Sequence, residues 1–208
     1  MIPEPAIPKE QITGLILAGG KGTRMGSVDK GLQLFRGEPM AQQALRRLQP
    51  QVGAVIINAN QNTDRYRQLG VPVWPDEVPG FAGPLAGLHA GLSHCDTPYL
   101  VTAPCDSPFL PADLVDRLSE SLLTARADIA VAVTGEGAQQ QRHPVFCLIA
   151  AHLKDSLADY LGKGGRKMES WFALHRQVDV HFADETAFVN LNTIDELNAL
   201  SDKPGGSN

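Results

Sequence analysis

The sequence predicts an α/β fold of three layers: one mostly parallel sheet with helices on both faces. Three observations predict it. Short apolar runs alternate with segments of helical periodicity along almost the whole chain. Most of these runs are apolar at successive positions, as strands covered on both faces must be. The first run also breaks off in a glycine-rich, cationic stretch, "AGGKGTRMGSVDK", at the edge where such sheets hold their ligands.

Each element follows from its own pattern. Residues 12–17 read as a buried strand running into the glycine loop. Ala41, Ala44, Leu45 and Leu48 recur at helical spacing. "AVIINAN", 54–60, reads as a second buried strand, followed by a polar helix around Tyr66 and Leu69. "VPVW", 71–74, is a short strand that stops at the breakers of "PDEVPG". Residues 83–92 open on Gly-Pro, which suits a first helical turn. Residues 98–108 form a strand that ends at an aspartate. Leu114, Val115, Leu118 and Leu122 share one face of a helix. Residues 128–133 and 144–150 are further strands, and Leu153, Leu157, Tyr160 and Leu161 mark another helix. A basic glycine loop, 162–172, leads into a short helix. "QVDVHF", 177–182, alternates like a strand with one exposed face. Thr193 and Glu196 make a capping box for a last helix. The expected organisation is an extended arm over 1–11, a single domain over 12–200 and a disordered tail over 201–208.

Composition narrows the function classes. Of 208 residues, 43% are hydrophobic and 20% charged, which suits a sizeable core. A net charge of -5 argues against a nucleic-acid-binding face. No apolar run is long enough to span a bilayer, and the N-terminus lacks an apolar signal core. Cys95, Cys105 and Cys147 are odd in number and widely spaced, so neither a disulfide framework nor a zinc site fits; reduced thiols in a cytoplasmic protein are expected. The six histidines show no ligand spacing.

Any anion site must therefore be local. Glycines let backbone N–H groups approach an anion closely. Arg24 can grip two phosphate oxygens at once, and Lys30 supplies a mobile point charge. The loop thus suits a polyphosphate, against the alternative of a tight turn with solvated cations. It is not a P-loop, because Lys21 is followed by Gly22, and "GKGTRMG" is one residue too long for a dinucleotide fingerprint. Asp106, just past a strand, suits Mg²⁺ held jointly with phosphates, or else a cap for the helix that follows. Asn58 and Asp76 also stand at strand ends, where an aspartate can accept from guanine N–H groups. Asn190 and Asn192, at another junction, suit substrate oxygens or ordinary loop hydrogen bonding.

"LILAGGKGTRMGSVDKGL", followed in order by "INAN", "PDEVPGFAGPLAGL", "APCDSPFLP", "HPVF" and "FVNLNT", resembles the molybdenum cofactor guanylyltransferases, MobA-type nucleotidyltransferases, over about residues 12–200. The resemblance implies a Rossmann-like nucleotidyltransferase fold, its N-terminal half for GTP and its C-terminal half for molybdopterin. It implies Mg²⁺ as cofactor and transfer of GMP from GTP to molybdenum-molybdopterin, with release of pyrophosphate. Leu17, Ala18 and Gly19 would line the nucleotide. Lys30, Asn58 and Asp76 match further GTP contacts, and Asp106 matches the metal and nucleotide position. Gly20, Arg24, Gly26, Gly87, Asn190 and Asn192 occupy motif positions. Arg166 or Lys167 would meet the pterin phosphate, against the alternative of a solvated basic loop. The resemblance further implies molybdopterin-synthesis proteins and molybdoenzyme chaperones as partners, with neither nucleic acid nor membrane. Three alternatives stay open: a cytidylyltransferase for the same cofactor, a sugar-1-phosphate nucleotidyltransferase, and a non-catalytic GTP-binding or cofactor-carrier protein.

Overall fold

A computed structural model describes residues 7–19, 29–78 and 83–189. Along the chain run β1 (Ile12–Leu17), β2 (Leu34–Phe35), β3 (Glu38–Pro39), α1 (Met40–Leu48), β4 (Ala54–Asn58), α2 (Thr63–Arg67) and β5 (Val73–Trp74). There follow α3 (Pro84–Ser93), β6 (Tyr99–Pro104), α4 (Leu114–Thr124), β7 (Ile129–Thr134), β8 (Gln141–Ala150), α5 (Lys154–Gly162), α6 (Met168–Phe172) and β9 (Gln177–His181). The last helix expected from Thr193 and Glu196, and the tail over 201–208, lie outside the described residues. Within the expected extended arm, Lys9–Gln11 form a 3₁₀ turn and Ile7 is buried in the core.

Seven strands form one sheet in the order β5-β4-β1-β6-β8-β7-β9. All run parallel except β8, which is antiparallel to both of its neighbours. The reason is local. Residues 135–140 are too few to return the chain to the far edge, as a parallel pairing demands. Gly135 and Gly137, at φ +71° and +56°, turn it straight back instead.

The period of two along each strand sends neighbouring side chains to opposite faces. Ile12, Ile16, Ile57, Val101 and Leu148 join one core with Leu45 and Leu48 of α1 and Leu114 and Leu118 of α4. Leu15, Ile56, Leu100, Cys147 and Ile149 join the other, under Leu88 of α3, Leu157 of α5 and Trp171 of α6. These are the three layers the sequence predicts. Each fully buried side chain of this size contributes about 1.5–3 kcal/mol.

Three details depart from the sequence reading. β5 is only two residues long, and α2 ends at Arg67, so Leu69 lies in the turn beyond it. The β2–β3 hairpin is additional. Arg36 and Gly37 both have positive φ, as a tight two-residue hairpin turn requires.

Candidate active site

The carboxyl ends of four neighbouring strands are level. Register pairs Trp74 of β5 with Asn58 of β4, Asn58 with Leu17 of β1, and Leu17 with Pro104 of β6. One more backbone bond per pair extends the ladder: Ala59 N–H to Trp74 O, Ala18 N–H to Asn58 O, and Cys105 N–H to Leu17 O. Two residues past the level row stand Asp76, Asn60, Gly19 and Asp106. Four strand ends thus bring side chains far apart in sequence to one edge.

At the β5 side, Asn58 is 2% exposed and donates to Asp76 Oδ1 at 2.9 Å and to the Trp74 carbonyl at 3.2 Å. Asn60 donates to Asp76 Oδ2 at 2.8 Å and accepts the Asp76 backbone N–H at 2.8 Å. The two asparagines thereby hold both oxygens of one carboxylate. Helix α3 closes in from one face. A Cβ on its Gly87 would lie 2.3 Å from Asn58 Oδ1 and 2.7 Å from Leu17 Cδ2. Gly91, a turn on, approaches Leu15, earlier in β1. Helix α3 therefore starts at the site edge and runs away from it, its positive end beside Leu17 and Asn58.

At the β6 side, Lys30 Nζ lies 3.5 Å from Asp106 Oδ2. Burial pushes the Asp106 carboxyl above the ordinary aspartate range, and the Lys30 charge partly opposes this. The lysine is fixed by its neighbours. Asp29 accepts from the buried Tyr66 hydroxyl at 2.5 Å and from Asn62 at 3.0 Å. Gly31 is wedged between Tyr66 and Cys105: a Cβ there would lie 2.4 Å from the Tyr66 oxygen and 3.0 Å from Cys105 Sγ. Burial, with Cys105 and Asp29 nearby, holds the Tyr66 phenol far above its ordinary range, so it stays a donor. Burial likewise raises the Cys105 thiol, which is therefore inert packing.

Asp106 is not the cap of the following helix. α4 starts at Leu114 behind Asp113, and Asp113 makes no side-chain capping bond. Among the described residues no three of His, Cys, Asp and Glu gather as a metal cage. A single carboxylate beside a lysine does suit Mg²⁺, which keeps its waters and takes its other oxygens from phosphates.

The remaining expected residues divide plainly. Leu17, Ala18, Gly19, Lys30, Asn58, Asp76, Gly87 and Asp106 share the edge. Arg166 sits in the connection from α5 to α6, where its Nη1 donates to the Gly165 and Leu161 carbonyls. Ser156, near the start of α5, bonds Trp171 and His175, and Ala150 before it pairs with Tyr99 at the amino end of β6, so the connection lies at the other end of the helix pair, towards the carboxyl ends of the strands. Gly20, Arg24, Gly26, Asn190 and Asn192 lie outside the described residues. Sequence reasoning did not single out Asn60 or Asp29, and it took Tyr66 only as a marker of a helix. The Asn-x-Asn spacing at a strand end was the available signal for Asn60, because period two puts both amides at one edge. His143, in "HPVF", bonds Thr134 Oγ1 at 2.9 Å and stacks on Phe188 at 4.8 Å. Burial lowers its pKa, so it is neutral at neutral pH.

Comparison with known proteins adds a second line. The MobA-like NTP transferase domain matches residues 14–180. A molybdenum cofactor guanylyltransferase of Ralstonia pickettii is 58% identical over 202 residues, 95% of this chain and 99% of that protein. One from Bordetella pertussis is 54% identical over 194 residues, 93% and 98% of the two chains. Among solved structures, a molybdopterin-guanine dinucleotide biosynthesis protein A from Archaeoglobus fulgidus superposes with a TM-score of 0.70. It is 21% identical, over 91% of this chain and 97% of that one. A 4-diphosphocytidyl-2C-methyl-D-erythritol synthase from Anaerococcus prevotii gives 0.73 at 12% identity, over 93% and 98%. At such identities the two structures speak for the fold alone.

Proposed function

This chain belongs to the MobA-like NTP transferase family, and from that premise we propose that it transfers GMP from GTP to the terminal phosphate of molybdenum-molybdopterin, releasing pyrophosphate. The observation that carries the reading is the level row of strand ends. It sets an acceptor pair at Asp76 and a charge pair at Lys30 and Asp106 on opposite sides of the bare Leu17–Gly19 backbone.

In this reading GTP lies along the edge. Asp76, braced by Asn58, accepts from the guanine N–H groups. Leu17, Ala18 and Gly19 line the nucleoside, where no side chain beyond a methyl follows Leu17. Lys30 neutralises charge on the phosphates that depart as pyrophosphate, and Arg24 would add a second cation for them. Asp106 would hold Mg²⁺, which when bound would supply charge neutralisation at the phosphates. The acceptor phosphate is ionised at neutral pH, so its oxygen attacks the α-phosphorus in line without a general base. Phosphate anions repel one another, so positioning and charge carry the rate. Arg166 pairs with the pterin phosphate, and Asn190 and Asn192 orient substrate oxygens. No helix among the described residues is long and apolar enough to cross a membrane. The reaction belongs in the cytoplasm, with the acceptor coming from molybdopterin-synthesis proteins and the product passing to molybdoenzyme chaperones.

The test is product formation with Mg²⁺, molybdenum-molybdopterin and each of GTP, CTP and ATP, with glucose 1-phosphate as an alternative acceptor. Pyrophosphate release should require GTP and the pterin together. Preference for CTP, or for the sugar phosphate, would defeat this reading. GTP binding without pyrophosphate release would point to a carrier.

A further inference from the structure

The most economical unexplained group at the edge is Asn60. Its side chain is exposed and supports no core, yet it makes three bonds. Its Nδ2 donates to Asp76 Oδ2 at 2.8 Å and to the Gly19 carbonyl at 3.3 Å, and its Oδ1 accepts the Asp76 backbone N–H at 2.8 Å. One amide therefore grips Asp76 by backbone and carboxylate together and ties it to the loop after β1. We propose that Asn60 is a positioning residue that aims the Asp76 carboxylate and thereby sets the preference for guanine; this rests on the guanine-binding role given to Asp76 above.

The chemistry runs through lone pairs. An ionised carboxylate has about four acceptor positions, two on each oxygen. Asn58 takes one on Oδ1 and Asn60 takes one on Oδ2. Each oxygen keeps one position, and the two amides fix the plane in which those positions lie. The result is a pair of acceptors side by side. Guanine presents two adjacent donors, N1–H and N2–H₂, on its pairing edge. Cytosine and adenine present an amino donor beside a ring-nitrogen acceptor, which leaves one carboxylate oxygen facing a lone pair. Without Asn60 the carboxylate can turn about its side-chain torsion, which is broad for aspartate, and the paired geometry is lost.

Inosine triphosphate isolates this effect, because it keeps N1–H and lacks the N2 amino group. The wild-type chain, assayed with Mg²⁺ and molybdenum-molybdopterin, should favour GTP over inosine triphosphate in kcat/KM by about 10- to 100-fold, the size of one charge-assisted hydrogen bond. In Asn60→Ala that ratio should fall to within about threefold of unity, chiefly through a higher KM for GTP. Asn60→Asp keeps an acceptor for the Asp76 N–H but removes the donor to Oδ2, and it should lose the preference equally. Both variants should melt within about 2 °C of wild type, as exposed substitutions do. A preference that survives in both variants overturns the role of Asn60 alone. Survival in Asn60→Asp but not in Asn60→Ala shows that the residue braces backbone rather than aims a carboxylate, and also overturns the proposal. No preference in the wild type overturns the guanine-binding role of Asp76 itself.

Discussion

Replacing Gly87 by alanine tests the packing that holds the Asn58–Asp76 end of the edge. In an ordinary helix interior the change would stabilise by about 1 kcal/mol, because glycine is the poorer helix former. Here the new Cβ would lie 2.3 Å from Asn58 Oδ1 and 2.7 Å from Leu17 Cδ2. Asn58 cannot swing aside without cost: it is 2% exposed and its amide is committed to Asp76 and the Trp74 carbonyl. Overpacking a core position costs about 1–3 kcal/mol. Depriving a buried amide of a partner costs about 1–3 kcal/mol more. Set against the helical gain, the net loss centres near 3 kcal/mol. For a chain of this size that lowers the melting temperature by about 6–12 °C. GTP affinity should fall by about tenfold or more, since Asp76 Oδ1 loses its fixed donor. Calorimetric melting and equilibrium GTP titration measure the two effects. Gly162→Ala, at the end of α5 where an added Cβ meets nothing within 4 Å, is the control and should leave GTP affinity unchanged and the melting temperature at or slightly above wild type. A Gly87→Ala chain that melts at or above wild type and binds GTP normally would refute the close-approach argument.

Two further outcomes follow from the charge pair. Asp106→Asn should abolish pyrophosphate release while the melting temperature holds or rises at neutral pH. Burial raises the Asp106 carboxyl, so the folded chain binds more protons than the unfolded one between the two pKa values. Stability from this group is therefore present below the unfolded pKa and lost as pH rises, and the neutral amide escapes that loss; a marked fall in melting temperature would show a structural aspartate instead. Lys30→Met removes the charge that opposes this shift, so the acidic limb of kcat/KM against pH should move towards neutrality and KM for GTP should rise. An unmoved pH profile would separate Lys30 from Asp106.

Several features were legible in the residues themselves. The alternation of apolar strands and amphipathic helices determined the three layers, because strands covered on both faces and helices covered on one leave different periods in the sequence. "LAGG" at the end of the first strand and "PCD" at the end of a later one determined that a glycine-bearing backbone and a carboxylate would stand at one edge, since parallel strands point their carboxyl ends the same way. The tertiary structure alone decided how these parts meet. The antiparallel β8 came from a turn too short for a crossover, a signal of length rather than of pattern. The grip of Asn58 and Asn60 on Asp76, and of Tyr66 on Asp29 beside Lys30, depends on the level register of strands β5, β4, β1 and β6 and on how closely Gly31 and Gly87 let their neighbours approach. Local propensity carries no information about register between strands distant in sequence; the packing of the two cores against the sheet sets it, and with it which donor faces which acceptor.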